Sequence, residues 1–426
     1  MYLLLFVEID NNKTDIWRKN FMIDNESLKR SEILTNIAQD FFEYKQNYFE
    51  QRKKRKNEGF KKKLLNYFDA TDTLWNDWHW QINHQINKTE QLNELFDISM
   101  EKQHEIQSVE KKYRWSVTPY YLSLITDFNE FDPIYLQVIP QILEMNSNWE
   151  EDPMNEINNN PAGAVTRRYP DRVTINLTNK CASFCRHCQR KRNIGEVDHC
   201  IDNSILKDSL DYLSKHPEIR DVLLTGGDPL TLSNQYIESV LKEIREIKSV
   251  EIVRIGSRTL VTLPQRIDQT LIKIFKKYGP IYINTQFNHP NEICNESILA
   301  CNKLADNGVM LGNQSVFLKG VNNNYNTLAL LNELLLKNRI RPYYIFHPKN
   351  VKGTNHFYIS IEEGIDIYDK LRGNISGLAI PTYIFNSHGG YGKISLNKQM
   401  LELSTNKKIK IQTWEGKYIE IYLDAM

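Results

Sequence analysis

Apolar residues in the C-terminal two thirds of the chain follow two alternating rhythms. Short runs rich in β-branched and aromatic residues occur at 173–177, 222–225, 251–255, 281–287, 314–318 and 342–346, the signature of strands. Stretches with helical apolar spacing lie between them, at 235–247, 267–277, 298–307 and 327–338. The last carries Leu328, Leu330, Leu331, Leu334, Leu335 and Leu336. From the second strand on, the repeat is roughly 30 residues, the length of a βα unit. Repeated βα units predict a parallel sheet, either curled into a barrel or open. Six units are two short of a full eight-stranded barrel, and chemistry in such folds sits at the C-terminal strand ends.

Upstream of this the pattern is helical. Residues 25–45 place Leu28, Ile33, Leu34, Ile37, Phe41 and Phe42 at helical spacing. A second helical region opens at Trp75-Asn-Asp-Trp-His-Trp80, with Asp72 or Thr73 as the expected N-cap, and helices follow at 90–96 and 101–111. Residues 146–162, rich in Asn, Glu and Pro, read as a connecting loop. The basic runs Arg52-Lys-Lys-Arg-Lys56 and Lys61-Lys-Lys63 have Glu43, Glu50 and Glu58 among and just before them. They read as a solvated helix face rather than a nucleic-acid patch. The boundaries expected are a helical extension over 1–70, a helical region over 71–166, a core over 167–378 and a terminal segment over 379–426.

Composition changes this picture little. The chain has 426 residues, 41% hydrophobic and 25% charged, with a net charge of +1, ordinary for a globular enzyme. That balance gives no reason to expect nucleic acid or membrane as partners. The apolar opening Met1–Val7 is too short to span a bilayer, and a cytoplasmic protein is expected.

Chemistry enters with cysteine. Of six cysteines, three stand in Cys181-Ala-Ser-Phe-Cys185-Arg-His-Cys188, directly after the first β run. Three thiolates on one loop suit three irons of a cubane iron–sulfur cluster and leave the fourth iron open. A structural zinc site would want four N/S ligands, and His187 is the one nearby candidate, cramped between two of the cysteines. Three incidental buried thiols are the remaining alternative. Cys200, Cys294 and Cys301 read as packed or surface thiols. Thr225-Gly-Gly-Asp-Pro-Leu230 follows the second β run, and its glycines let backbone approach a ligand while a carboxylate stands ready for an ammonium. Gly389-Gly-Tyr-Gly-Lys393 sets a lysine among glycines but is no Walker P-loop.

Cys-x3-Cys-x2-Cys is the signature of radical S-adenosylmethionine (SAM) enzymes. With Arg168-Tyr-Pro-Asp-Arg172 before it and Arg190-Lys-Arg192 after it, the chain resembles the lysine 2,3-aminomutase family from about Trp75 to Gly416. The resemblance implies an α/β fold, a partial (β/α)6 radical SAM barrel, with an N-terminal helical region and a C-terminal segment carrying a lysine for pyridoxal 5′-phosphate (PLP). It implies a [4Fe–4S] cluster on Cys181, Cys185 and Cys188. SAM would be held by Gly226, Gly227, Asp228 and Gln314, and PLP by Lys393 with Arg168, Tyr169 and Arg172. Arg190 would take the substrate α-carboxylate. Lysine-specific members carry two aspartates for the distal ammonium; here those positions hold Lys349 and Asn386, the pattern of the glutamate 2,3-aminomutase branch. A buried cation beside a neutral donor wants a carboxylate. The expected activity is therefore isomerisation of L-glutamate to β-glutamate. Another amino acid such as lysine or arginine, or an inactive cofactor-binding member, is the alternative. An electron donor such as flavodoxin or ferredoxin and a homo-oligomer are also implied. No structural zinc is expected, because Asn324 stands where lysine-type members have a zinc ligand and their C-terminal cysteines are missing. The chain departs from the family after Lys393, at Ile-Ser-Leu-Asn397, and at Ser387-His388.

Overall fold

The computed structural model describes residues 25–54, 58–398, 401–403, 408–413 and 415–422. Met1–Val7, Arg55 and Lys56 of the basic run, and Trp414 lie outside the described residues. The chain divides into two compact units, Met1–Lys54 and Arg55–Met426. The described part of the first is one helix, Asn25–Lys54, which continues past the expected end at 45. Its Leu28, Ile33, Leu34, Ile37 and Phe42 are exposed.

The second unit is built on a nine-stranded sheet in sequential order. Its strands are β1 Val165–Arg167, β2 Arg172–Thr178, β3 Asp221–Gly226, β4 Ile252–Gly256, β5 Ile281–Thr285, β6 Met310–Val316, β7 Arg341–Phe346, β8 Thr382–Asn386 and β9 Lys393–Ser395. Strands β2 to β8 run parallel, and β1 and β9 pair antiparallel at the two edges. The six strands expected from the sequence are β2 to β7. The seventh parallel strand, β8, follows Pro381 directly and is not among the runs expected from the sequence. Strand β6 begins at Met310, ahead of the expected 314, because Gly312 and Asn313 read as punctuation yet pair in the ladder.

Side chains alternate along every parallel strand. Val173, Ile175 and Leu177 of β2, Val253 and Ile255 of β4, and Ile345 of β7 are buried on the face packed by helices. The other parity is more open: Gly256, Gln314, Val316 and Phe346 line a cavity at the C-terminal strand ends. Helices Asn203–Lys215, Asn234–Glu246, Gln269–Lys277, Asn295–Asp306 and Tyr325–Lys337 connect successive strands, each burying an apolar stripe such as Ile237, Val240, Leu241 and Ile244. Asn324 caps the last of these by accepting from the Thr327 N–H at 2.8 Å.

The helical region before the sheet braces the cysteine loop. Its short helices Asp72–Trp75 and Trp78–Asn83 start on Thr71 and Asp77 rather than on the expected Asp72 or Thr73, since those residues already lie inside the first turn. Gln85 donates to the carbonyls of Cys181 and Ala182. The carbonyls of Ser116 and Gln137 take the N–H groups of Phe184 and Arg186. Residues 146–162 form a loop with one short turn of 3-10 helix, Ile157–Asn159. A separate three-stranded antiparallel sheet, β10 Leu401–Leu403, β11 Lys408–Gln412 and β12 Tyr418–Tyr422, ends the described chain. No described helix is long and apolar enough to cross a membrane.

Candidate active site

A cavity of about 230 Å³ opens at the C-terminal strand ends and is lined by Cys181, Cys185, Cys188, Gly226, Gly227, Asp228, Arg190, Gln314 and Lys349. All nine were singled out from the sequence, and four different strand-end segments bring them together. The cysteine loop follows β2, Gly-Gly-Asp follows β3, Gln314 stands on β6 and Lys349 follows β7.

Local geometry explains why these residue types stand there. Gly226 holds φ +129°, and a Cβ would lie 2.3 Å from the Thr178 carbonyl oxygen; at Gly227 it would lie 2.3 Å from that of Lys180. A side chain at either position would push the two loops apart. Asp228 is buried and accepts from the N–H of Leu230 at 3.0 Å and of Arg258 at 2.8 Å. Each oxygen keeps acceptor capacity for a further donor. Burial, then Asp228 and the other two cysteines, push the Cys181 thiol well up; burial and Cys185 do the same for Cys188. The three cysteines converge on one cavity wall, where a metal could take them as thiolates.

A second cluster gathers on the sheet edges. Lys393 begins β9, and its N–H donates to the Tyr169 hydroxyl at 3.0 Å. Its ammonium lies 5.5 Å from the Tyr169 ring and 5.6 Å from the Tyr344 ring, and Arg172 stacks on Tyr169 at 4.0 Å. Lys393 as a residue keeps solvent access, but its ammonium points among protein groups. Burial there, with Arg172, Arg254 and Arg168 nearby, brings it down to about 8, so the free, nucleophilic amine is a larger minority at neutral pH than in an ordinary lysine. Lys393 pairs across the ladder with Asn386, so the two side chains share a face. The buried Asn386 amide nitrogen has no hydrogen-bond partner among the described residues.

One carboxylate joins the two clusters. Glu156, from the loop before β1, is 7% exposed. It accepts from Arg168 at 2.8 Å, from Arg190 Nε and Nη2 at 2.9 Å each, and from Arg192 at 3.2 Å. Burial opposes its charge, but Arg190 and Arg168 hold its carboxyl at about 2. Lys349 is brought down to about 7 by burial and by Arg190, Arg168 and Lys393, with Glu156 pulling the other way.

The chain is similar to known proteins over most of its length. Residues 175–327 match the Radical SAM superfamily model. The chain is 48% identical over 362 residues to the glutamate 2,3-aminomutase of Clostridioides difficile strain 630, which covers 85% of this chain and 86% of that protein. It is 42% identical over 350 residues to the L-lysine 2,3-aminomutase of Clostridium subterminale, covering 82% and 84%. A further L-lysine 2,3-aminomutase, from Acetoanaerobium sticklandii, is 40% identical over 358 residues, covering 84% and 86%. The chain belongs to the radical SAM aminomutase family. It is an isomerase, and its radical SAM domain implies a [4Fe–4S] cluster and SAM, which the three cysteines and the cavity they line fit.

Three residues of this aminomutase site carried no sequence signal. Arg258 is buried at the end of β4, donating to Cys185 Sγ, to the Tyr121 hydroxyl at 2.9 Å and to Glu292 at 2.7 Å. Arg254 faces the Lys393 ammonium and pairs with Asp221 at 2.7 Å. Glu156 sat in a stretch that read as mere connection. The one available hint was its place twelve residues ahead of Arg168, and spacing to a future partner is not a motif.

Proposed function

We propose that this radical SAM aminomutase is PLP-dependent and converts L-glutamate to β-glutamate by moving the amino group from C2 to C3. The observation that carries the reading is the placement of Lys349. It lines the same cavity as Arg190 and the cysteines, and both cations already face a carboxylate, that of Glu156. A pocket lined by two cations suits a substrate with two carboxylates. The name of the glutamate 2,3-aminomutase relative supports this choice over lysine.

In this reading Cys181, Cys185 and Cys188 hold the cluster, and Gly226, Gly227, Asp228 and Gln314 hold SAM. Lys393 holds PLP, with Arg168 and Arg172 on its phosphate side and Tyr169 beside it. The group fits: a lysine of lowered pKa, two arginines and a glycine-rich turn converge there. When bound, these cofactors supply a carbon radical able to take and return a substrate hydrogen, and a carbonyl carrier for the migrating nitrogen. The chain's own part is positional. Arg190 binds the α-carboxylate by its free guanidinium edge, Lys349 pairs with the γ-carboxylate, and Asn386 gives that carboxylate a second donor. Tyr169 fixes the backbone of Lys393. The walls exclude water from the space between. A one-electron donor such as flavodoxin or ferredoxin supplies the cluster.

Anaerobically reconstituted protein with SAM, PLP and a reductant should turn L-glutamate into β-glutamate, read by carbon NMR. Turnover of lysine or a neutral amino acid with no turnover of glutamate would overturn the substrate assignment.

A further inference from the structure

Arg190 is held in an unusual way for a residue that meets substrate. Glu156 takes its Nε and one Nη2 hydrogen in a two-pronged clamp, both at 2.9 Å. Among the described residues its Nη1 has only a long contact, 3.5 Å to the Thr225 hydroxyl. A guanidinium has five N–H donors in a rigid fork, so clamping the side edge leaves the Nη1/Nη2 end free and fixes its direction. That end looks toward Thr225, which stands with Gly226, Gly227 and Asp228 on the cavity wall. Glu156 Oε1, which takes the Arg190 Nη2 hydrogen, also accepts from Arg168, so one acid ties both clusters together.

Four cations otherwise crowd this spot. Arg190, Arg168 and Lys393 all disfavour charge on Lys349, and Glu156 is the acid that favours it. Arg192 has a second acid, Asp152, at 3.2 Å; Arg190 has Glu156 as its ion-pair partner. The clamp is also well rooted. The Asn155 N–H bonds the Asp152 carbonyl, the Ile157 N–H bonds the Asp152 carboxylate at 3.1 Å, and Glu156 is 7% exposed.

We propose that Glu156 is a positioning residue for the substrate dicarboxylate: its clamp on one edge of Arg190 aims the other edge of that guanidinium into the cavity. This rests on the roles given to Arg190 and Lys349 under Proposed function. Glu156 does not touch the substrate. It acts through Arg190, which does, and it makes the carboxylate-binding direction of that guanidinium the resting one.

The test uses anaerobic holoenzyme. Glu156→Gln keeps the shape and an acceptor oxygen but removes the charge, and Glu156→Asp keeps the charge on a shorter arm. L-Glutamate binding is measured by calorimetry across pH, with cluster and PLP absorbance and Tm recorded beside it. Glu156→Gln should weaken glutamate binding by roughly tenfold or more, the scale of one charge-assisted contact. Its loss of binding with rising pH should begin at lower pH than in the unmutated enzyme. KM should rise more than kcat falls, cofactor content should stay, and Glu156→Asp should recover most of the affinity. Unchanged glutamate affinity and pH dependence in Glu156→Gln would overturn the proposal. So would loss of cluster and PLP in both variants, which marks a structural role. If the unmutated holoenzyme itself binds no glutamate, the substrate assignment fails first and this inference falls with it.

Discussion

Lys349 is a lysine whose charge is set by burial and its neighbours, and in the proposed role its pairing with a carboxylate depends on pH. Burial and three cations lower it to about 7, so its protonated form is present below that pH and is lost as pH rises through it. The profile of kcat/KM reports the free enzyme. For L-glutamate it should therefore fall as pH rises above about 7. Lys349→Ala should lack that limb and lose roughly a hundredfold in kcat/KM, within the range for unpairing a buried charge, with cluster and PLP content intact. A limb that persists in Lys349→Ala would assign it to another group. Lys393 is the second residue with a direct test. Borohydride treatment of the PLP-loaded enzyme should fix the cofactor on the peptide containing Lys393, and Lys393→Ala should not be labelled there. Labelling at Lys398 instead would mean the departures after Lys393 have moved the site. At this scale the sequence was most legible where chemistry demands a fixed spacing, as in Cys181, Cys185 and Cys188, or a fixed backbone, as at Gly226. Glu156 and Arg258 were illegible because their roles come from partners far away in the chain, and a lone acid or arginine has no local pattern.

At the scale of elements, the site depends on how the cysteine loop is fastened. Arg186, between the second and third cysteines, is fully buried and pairs with Glu144 from the preceding helical region, Nε to Oε1 at 2.9 Å. Lys191 joins the same carboxylate at 2.5 Å. Burial opposes the charge of Glu144, but Arg186 and Lys191 hold it at about 2, below its ordinary 4.5. Its contribution to stability is then present above about 4.5 and is lost as pH falls toward about 2. Glu144→Ala leaves two buried cations without their acid and should destabilise the protein by ~3–5 kcal/mol, read as a lowered Tm together with weaker cluster retention. A Tm within a degree or so of the unmutated protein would show that the brace is not needed. The strands β2 to β7 were visible in advance because β-branched runs between amphipathic helices have few other readings. Strand β8 was not, although it is as long as β4 and β5; its place is settled by pairing with β7.

For the whole molecule, the sheet does what parallel βα arrays do: it collects chemistry at one end from segments far apart in sequence. The cysteine loop after β2 and Lys349 after β7 line one cavity, while the antiparallel edge strand β9 sets Lys393 against Tyr169, just after β1. The parallel array was legible from periodicity, and the family resemblance supplied its partial-barrel form. The edge strands β1 and β9 and the tie made by Glu156 were not, because antiparallel closure and long-range ion pairs leave no period in the chain. In the proposed function, the choice of substrate turns on the sign of the charge at Lys349. Lysine would bring its ammonium against Lys349, at a cost in the ~3–5 kcal/mol range of an uncompensated buried charge, and each ~1.4 kcal/mol is tenfold in rate. The most direct test is a competition of L-glutamate against L-lysine in the anaerobic, reconstituted enzyme, read as the ratio of their kcat/KM values. A preference for glutamate of at least about a hundredfold is expected; equal use of the two, or a preference for lysine, would contradict the account.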